Sequence, residues 1–474
     1  MSLKTGSSIK SIFQLVGGAA AGQLILVGTL PIVSRIYQPE DFGVLAVFAA
    51  ILALLSSVAC LRYEAAIPLS RNSDEAINIW SGASILSVVF SVLVFAGGCG
   101  YAIYNDFGLS FYFYVLLLSL GVLLAGLNVS LLHYAIFEKK FKLAAEMRIK
   151  QAVMAALGRI GIGLVWSGPV GLIIGAILAG GGGVYTLLRG LPIRSNTSNV
   201  RKIKMKMFLK ENIKLPMYSA PTSLLNAASL QVPVIILSII FNAKEVGFFA
   251  LAMRVGTAPL ALIGQAVRQV YLANAGEAYR KKNLGKLTEN YAISLAAISI
   301  IPAFVIAPIL PDLTRIVFGN EWLKAGSILA LLAPWMVSQL ITSPLSSTVI
   351  AAGHQKGGLI SQGIFLIVRV FAVFLGYLSG DFFKTILYLS ISSCLCYLFY
   401  SIWVFVISGA KKKRVLLFWM LSSCAGASFY IFAVYLKSIL FNANIALFST
   451  AIIAMAVISF ALGAVFAKRV ISNV

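Results

Sequence analysis

The sequence predicts an all-α polytopic membrane protein of about fourteen transmembrane helices, and three observations predict it. Of 474 residues, 60% are hydrophobic and only 11% charged, with a mean hydropathy of +0.94. Soluble domains run nearer about 45–50% apolar and about 25% charged; a soluble chain has too much surface for its mass to hide such an excess. The apolar residues fall in continuous runs of roughly 20, the length that crosses a bilayer at about 1.5 Å per residue. These runs do not alternate with polar residues, so helices rather than barrel strands satisfy the backbone in lipid. A soluble cytosolic enzyme, a disordered chain and a nucleic-acid-binding protein are excluded, despite a net charge of +23.

In chain order, spans are expected at about 12–34, 44–69, 77–100, 110–135, 149–167, 170–188, 213–240, 247–270, 290–310, 325–351, 359–379, 385–407, 415–436 and 445–467. Lys4 and Lys10 precede the first run as they would in a signal peptide. That run is about 23 residues long against roughly 7–15 for a signal core, and no small-residue cleavage site follows, so it reads as a retained helix. Proline falls in or beside many of the runs; Pro216, Pro221 and Pro233 together make the seventh the candidate for a bend. GGAAAG at 17–22 and GGGG at 180–183 read as close helix packing, with a hinge the other reading of the second. The latter is no phosphate loop, since no Lys-Ser/Thr follows it.

Basic residues fix the orientation. Twenty-nine of the 38 Lys and Arg lie at the termini and even-numbered connections, six at the odd-numbered ones, and Arg159, Arg254 and Arg369 within spans. This bias places both termini in the cytoplasm. Seven acids fall outside and eight inside, none at the middle of a span. The charge therefore separates into +21 on the inner face, −1 on the outer and +3 in the bilayer.

The longest polar stretch, from Arg189 to about Asn212 with RKIKMKMFLKENIK at its core, reads over 191–212 as a linker and orientation signal that can also form an amphipathic helix on the inner leaflet. It separates an N-terminal lobe at 1–190 from a C-terminal lobe at 213–408, with an additional helix pair at 409–474. A weak repeat crosses that divide: IYQPEDFGVLA at 36–46 matches IFNAKEVGFFA at 240–250, an offset of 204. In both copies an acid two positions before a glycine, Asp41 or Glu245, is placed to cap the next helix. An even number of helices between copies makes two pseudo-symmetric six-helix lobes, a construction common in transporters.

The chemistry of enzymes is missing. Two histidines, His133 and His354, do not make a metal site, and the five cysteines lie in or near spans, with Cys394-x-Cys396 lacking ligand spacing. There is no Walker A sequence, the outer loops are short, and no metal or other cofactor is expected.

The arginines within spans carry the functional reading. Each costs roughly 2.5–3.5 kcal/mol at a helix centre on insertion scales, so Arg254, Arg369 and Arg159 are expected to face a hydrated cavity, with snorkelling the other reading for Arg159. Arg62 and Arg268 lie near the cytoplasmic ends of spans two and eight, at roughly equivalent repeat positions, as a candidate pair at an inner mouth. Their other reading is snorkelling of the long side chain. A cavity lined by guanidinium without buried acid selects an anion, phosphates above all. Gln23, Asn226, Gln231 and Gln265 are secondary candidates for sugar hydroxyls, or for interhelical hydrogen bonds.

SRIYQPEDFGVLAVFAAILALLSSVACLRYEAAIPLS at 34–70, DLTRIVFGNEWLKAG at 312–326 and SSTVIAAGHQK at 346–356 resemble Wzx-type O-antigen and exopolysaccharide flippases of the MOP exporter superfamily, over roughly residues 5–400. The resemblance implies two six-helix lobes in a V, alternating access in the bacterial cytoplasmic membrane, and a substrate of undecaprenyl-pyrophosphate-linked oligosaccharide. It also implies polysaccharide polymerase machinery as a partner. Such flippases often have twelve helices, so the pair at 409–474 is expected to be peripheral or to form a lipid-tail groove. A multidrug or cation antiporter of the same superfamily would need intramembrane carboxylates. A membrane glycan polymerase or ligase would need larger outer loops and acid–base clusters.

Overall fold

The computed structural model describes residues 5–166, 168–193, 200, 202–352, 354–440 and 445–472, and all regular structure among them is helical. Lys4, Arg194 and Arg201, counted above on the basic side, lie outside the described residues. Among the described residues, thirteen helices are long and apolar enough to cross a membrane. The fourteenth expected span is the 25-residue helix α5 (Phe141–Val165), whose first turns carry Lys142, Glu146, Arg148 and Lys150. It is long enough, but its apolar stretch is confined to its second half.

The chain forms two compact units, 1–247 and 248–474. The first holds α1 (Thr5–Ile36), α2 (Pro39–Ser56), α3 (Ser73–Tyr104), α4 (Leu109–Phe137), α5, α6 (Pro169–Gly190), α7 (Lys202–Glu211), α8 (Ala220–Ile240) and the first turn of α9 (Ala243–Arg280). It ends after the seventh span, with α8 packed along α2.

Small residues set its packing. Gly18 and Gly22 bring α1 onto α5, where a methyl at Gly22 would sit 2.9 Å from the carbonyl oxygen of Arg148. The glycines at 180–183 lie in an uninterrupted α6. Asn128 of α4 donates to the Gly180 carbonyl at 2.7 Å and accepts from Gln151 of α5 at 3.2 Å, so three helices close on this run. α7 lies along α3, held by a Lys204–Asp74 ion pair of 2.6 Å and by Leu209 over Gly82.

Two spans of the first unit depart from continuous helix. The second, expected over 44–69, ends as α-helix at Ser56 and turns through Leu61 (φ +48°) and Arg62 (φ +65°) into a 3-10 helix, Tyr63–Leu69. No glycine or proline announces the break. The Ser57 hydroxyl bonds back to the Leu54 carbonyl at 2.7 Å, competing with the helix at that end. The seventh span opens with a π-helical turn, Leu215–Ser219, around Pro216, while α8 continues through the buried Pro233.

The repeat is visible in the helix caps. The Gln38 main-chain N–H donates to Asp41 Oδ2 at 3.0 Å, and 204 residues on Asn242 Oδ1 accepts from the Glu245 N–H at 2.9 Å. Asp41 thus caps by its side chain, whereas in the second copy Asn242 caps and Glu245 contributes its charge to the first turn.

The second unit holds the rest of α9, then α10 (Leu284–Ile306), α11 (Leu310–Phe318), α12 (Leu323–Leu345), α13 (Ser347–Ala351), α14 (Gln355–Ser379), α15 (Phe382–Ser408), α16 (Lys412–Leu440) and α17 (Ile445–Ser472). Its core gathers Tyr271, Tyr291, Leu295, Ile341, Phe405 and Trp419. The Tyr271 hydroxyl, fully buried, bonds Thr288 at 2.7 Å and Thr348 at 2.6 Å, tying α9 to α10 and α13. The last two helices flank α10 and touch one another little. Asn290 donates to the Val470 carbonyl at 3.0 Å, and Glu289 accepts from Arg414 at 2.8 Å.

Candidate functional site

The arginines expected in a cavity occupy three different environments. Arg369 of α14 is 0% exposed. Its guanidinium carbon lies 5.0 Å from the ring centroid of Trp335 (α12), 5.4 Å from Phe365 and 5.8 Å from Tyr397 (α15). Its Nε donates to the Ser393 hydroxyl at 3.1 Å. Aromatic faces attract a cation through their quadrupole, so this charge joins α12, α14 and α15. In this conformation it has no exposed surface to offer a ligand.

Arg159 is 8% exposed, its stem against Gly175 between α5 and α6. The Tyr37 hydroxyl donates to its carbonyl at 2.7 Å. Burial and the nearby Asp41 raise the Tyr37 pKa, keeping the hydroxyl a donor. Arg159 therefore faces packed helix.

Arg254 of α9 is different: it is half-buried, two residues before Gly256, which packs on Met336. On a helix of 3.6 residues per turn, Gln265 falls within about 20° of Arg254, and Arg268 about 40° to the other side. Both are exposed. The three predicted residues thus share one face of α9 over about 21 Å. Such a row presents two guanidinium groups, each able to grip a phosphate through two parallel hydrogen bonds, with an amide between them.

In the first unit, Arg62 lies in the unwound end of the second span, 3.4 Å from Glu64. Gln23 on α1 and Gln231 on α8 are half-buried, and Asn226 is exposed. The six polar candidates named here and in the preceding paragraph as exposed or half-buried, Arg62 aside, fall on α1, α8 and α9. Sequence reasoning missed the buried acids. Glu64 is 3% exposed and Glu289 4%, although both were counted with the acids of the inner face. Each buried acid sits beside an arginine: Glu64 with Arg62, Glu289 with Arg414, and Asp312 with Arg315 at 3.7 Å. The signal available for the first was the Arg62-x-Glu64 spacing. Of the aromatic cage of Arg369 only Phe365, four residues earlier on α14, gave a local signal; Trp335 and Tyr397 come from other helices.

No group of three or more His, Cys, Asp or Glu able to hold a metal occurs among the described residues.

Comparison with known proteins identifies the fold and the family. No curated protein matches the chain by sequence. Among solved structures, the fold is shared with an inward-facing MATE-family multidrug resistance transporter of the MOP superfamily: TM-score 0.59, 15% identity, over 85% of this chain and 94% of that one. It is shared with the lipid II flippase MurJ in an inward closed conformation: TM-score 0.58, 14% identity, over 98% and 99%. A third is a MOP-superfamily transporter from Pyrococcus furiosus described as having a binding pocket of reverse polarity, with TM-score 0.56 and 16% identity over 86% and 96%. The family model described as "Polysaccharide biosynthesis protein" matches residues 32–327, more than half of the sequence. A multi-pass helical membrane protein with the MOP-superfamily fold, the chain belongs to the polysaccharide biosynthesis protein family.

Proposed function

We propose that this protein is a flippase that moves undecaprenyl-pyrophosphate-linked oligosaccharide repeat units across the bacterial cytoplasmic membrane by alternating access, for O-antigen or exopolysaccharide synthesis. The observation that carries the reading is Arg254, half-buried within an apolar helix and sharing a face with Gln265 and Arg268. Unlike Arg369, which aromatic rings offset, Arg254 is left to repay its insertion cost against water or an anion, and a pyrophosphate is the anion its planar donors fit. In this reading 1–190 and 213–408 are the units of pseudo-symmetry, both termini are cytoplasmic, and polysaccharide polymerase machinery takes up the product. The protein is a carrier and not an enzyme.

An antiporter of cations or cationic drugs would need a carboxylate free to bind them. The buried acids Glu64, Glu289 and Asp312 each lie within 4.0 Å of an arginine instead, which favours the anionic substrate.

The test is the fate of the lipid-linked units. A strain lacking the protein is expected to accumulate complete repeat units on the cytoplasmic face of the membrane. Units found on the outer face would overturn the proposal.

A further inference from the structure

Within the second unit, α10, α12, α15 and α16 surround a cavity of about 370 Å³. Its wall is mostly hydrocarbon, from Phe304, Val337, Ile341 and Leu398. Trp419 of α16 also lines it, 7% exposed, with its indole N–H buried and without an acceptor. The hydroxyls of Ser338 and Thr342 on the same wall are already bonded, to the Pro334 carbonyl and to Ser401, each at 2.7 Å. A buried donor left unpaired is costly, so the wall lacks one acceptor.

α16 arranges three features in order along its axis. Lys411, Lys412 and Lys413 are exposed at its start. Trp419 lies about 9 Å further on, and Tyr430, at the far end of the cavity and 40% exposed, about 16 Å beyond Trp419. Cation, then hydrogen-bond donor, then hydrocarbon slot is the complement of a phospholipid read from phosphate to ester carbonyl to alkyl chain. The volume lies at the small end of ligand pockets, roughly 300–1,000 Å³; it suits one chain and not a glycan head group. α16 packs on α10 and only lightly on α15, which leaves a seam for a chain to enter.

We propose that this cavity holds one acyl chain of an anionic diacyl phospholipid from the leaflet nearest Lys411. The phosphate meets Lys411–Lys413, the ester carbonyl accepts the Trp419 N–H, and the chain runs toward Tyr430. A polyprenyl chain carries its phosphate directly on hydrocarbon and has no carbonyl to offer at the depth of Trp419. The site thus gives the last helix pair a bound bilayer lipid, independent of the transported substrate.

The probes are dioleoyl-phosphatidylglycerol, its diether analogue and undecaprenyl phosphate, each counted on the full-length protein by native mass spectrometry. Wild type is expected to retain one diester molecule, and Ala303→Phe and Ala333→Leu, which fill the slot, none. Trp419→Phe keeps the ring and is expected to bind the diester about three- to tenfold more weakly, and no longer to prefer it over the diether. Equal retention by both filled variants would overturn the proposal. So would a Trp419→Phe protein that keeps the diester preference, or displacement of the diester from wild type by equimolar undecaprenyl phosphate.

Discussion

Gly247 packs directly onto the main-chain carbonyl of Pro39. The reciprocal contact is made 204 residues out of step, where Gly43 packs onto the carbonyl of Ala243. Residue i touching j′ while i′ touches j is the signature of a two-fold relation. Glu40 and Lys244, also equivalent by the same offset, form an ion pair at 3.4 Å. An offset found from three identities in eleven residues is thereby repeated in space.

Alanine at either glycine is expected to lower thermal stability in detergent. In an open helix, Gly→Ala gains about 1 kcal/mol; here the added methyl meets a backbone carbonyl that no side-chain movement relieves, at a cost of roughly 1–3 kcal/mol. Gly17, with nothing within 4 Å of an added methyl, is the control, and Gly17→Ala should gain. A Gly43→Ala/Gly247→Ala double variant should lose less than the two singles together, because one crossing is opened once. Stabilisation by either alanine would refute the close approach.

Arg254 and Arg369 should separate in opposite assays. Arg254→Ala is expected to leave the stability within about 0.5 kcal/mol of wild type, as for a site outside the packed core, and to cut export of surface polysaccharide, with Arg254→Lys keeping part of it. Arg369→Ala empties an aromatic cage and is expected to cost about 3–5 kcal/mol, the range for large buried side chains. Arg369→Lys keeps the charge but loses the planar stacking and should fall between. Full export by Arg254→Ala would remove the α9 face from the mechanism, and a stable Arg369→Ala would remove the cage from the fold.

The spans were legible because their cause is local: a run of about 20 apolar residues must leave water wherever it sits. The cap at Asp41 was nearly as legible, since a cap is read within four residues; in the second copy the expected cap was Glu245, and Asn242 caps instead. Arg369 was not. Its insertion cost was evident, but the rings that offset it, Trp335 and Tyr397, belong to α12 and α15 and reach it only after folding. The end of the second span escaped for a different reason. Ala59, Cys60 and Leu61 are apolar, and nothing in composition distinguishes them from residues that continue the helix.

Leu61 and Arg62 both hold a left-handed backbone, at φ +48° and +65°. Such a conformation costs a non-glycine residue about 1–2 kcal/mol. Leu61 is 37% exposed, so its side chain returns little by packing. Leu61→Gly is expected to raise stability by up to about 1 kcal/mol, and Leu61→Val, β-branched and poorly tolerated there, to lower it by more. If the glycine variant is less stable, this segment is not held in the left-handed region.

The ion pair between Glu289 and Arg414 should respond asymmetrically to mutation. The Glu289 side chain is 5% exposed and that of Arg414 67%, with 2.8 Å between them. Arg414→Ala leaves the carboxylate buried without its cation, a stranded charge that costs more than a neutral hydrogen-bonding group. Exposure of the arginine and its screening by solvent reduce that to about 1–3 kcal/mol. Glu289→Gln leaves Arg414 free to turn into water and keeps an oxygen for it to donate to, so about 1 kcal/mol or less is expected. Chemical unfolding of the two variants in detergent measures the difference. Because this pair joins the start of α16 to α10, Arg414→Ala should also speed hydrogen exchange at the first turns of α16, while exchange in α1–α6 stays at the wild-type rate. Equal losses from the two substitutions would mean that Glu289 reaches water in solution and that α16 does not depend on this contact.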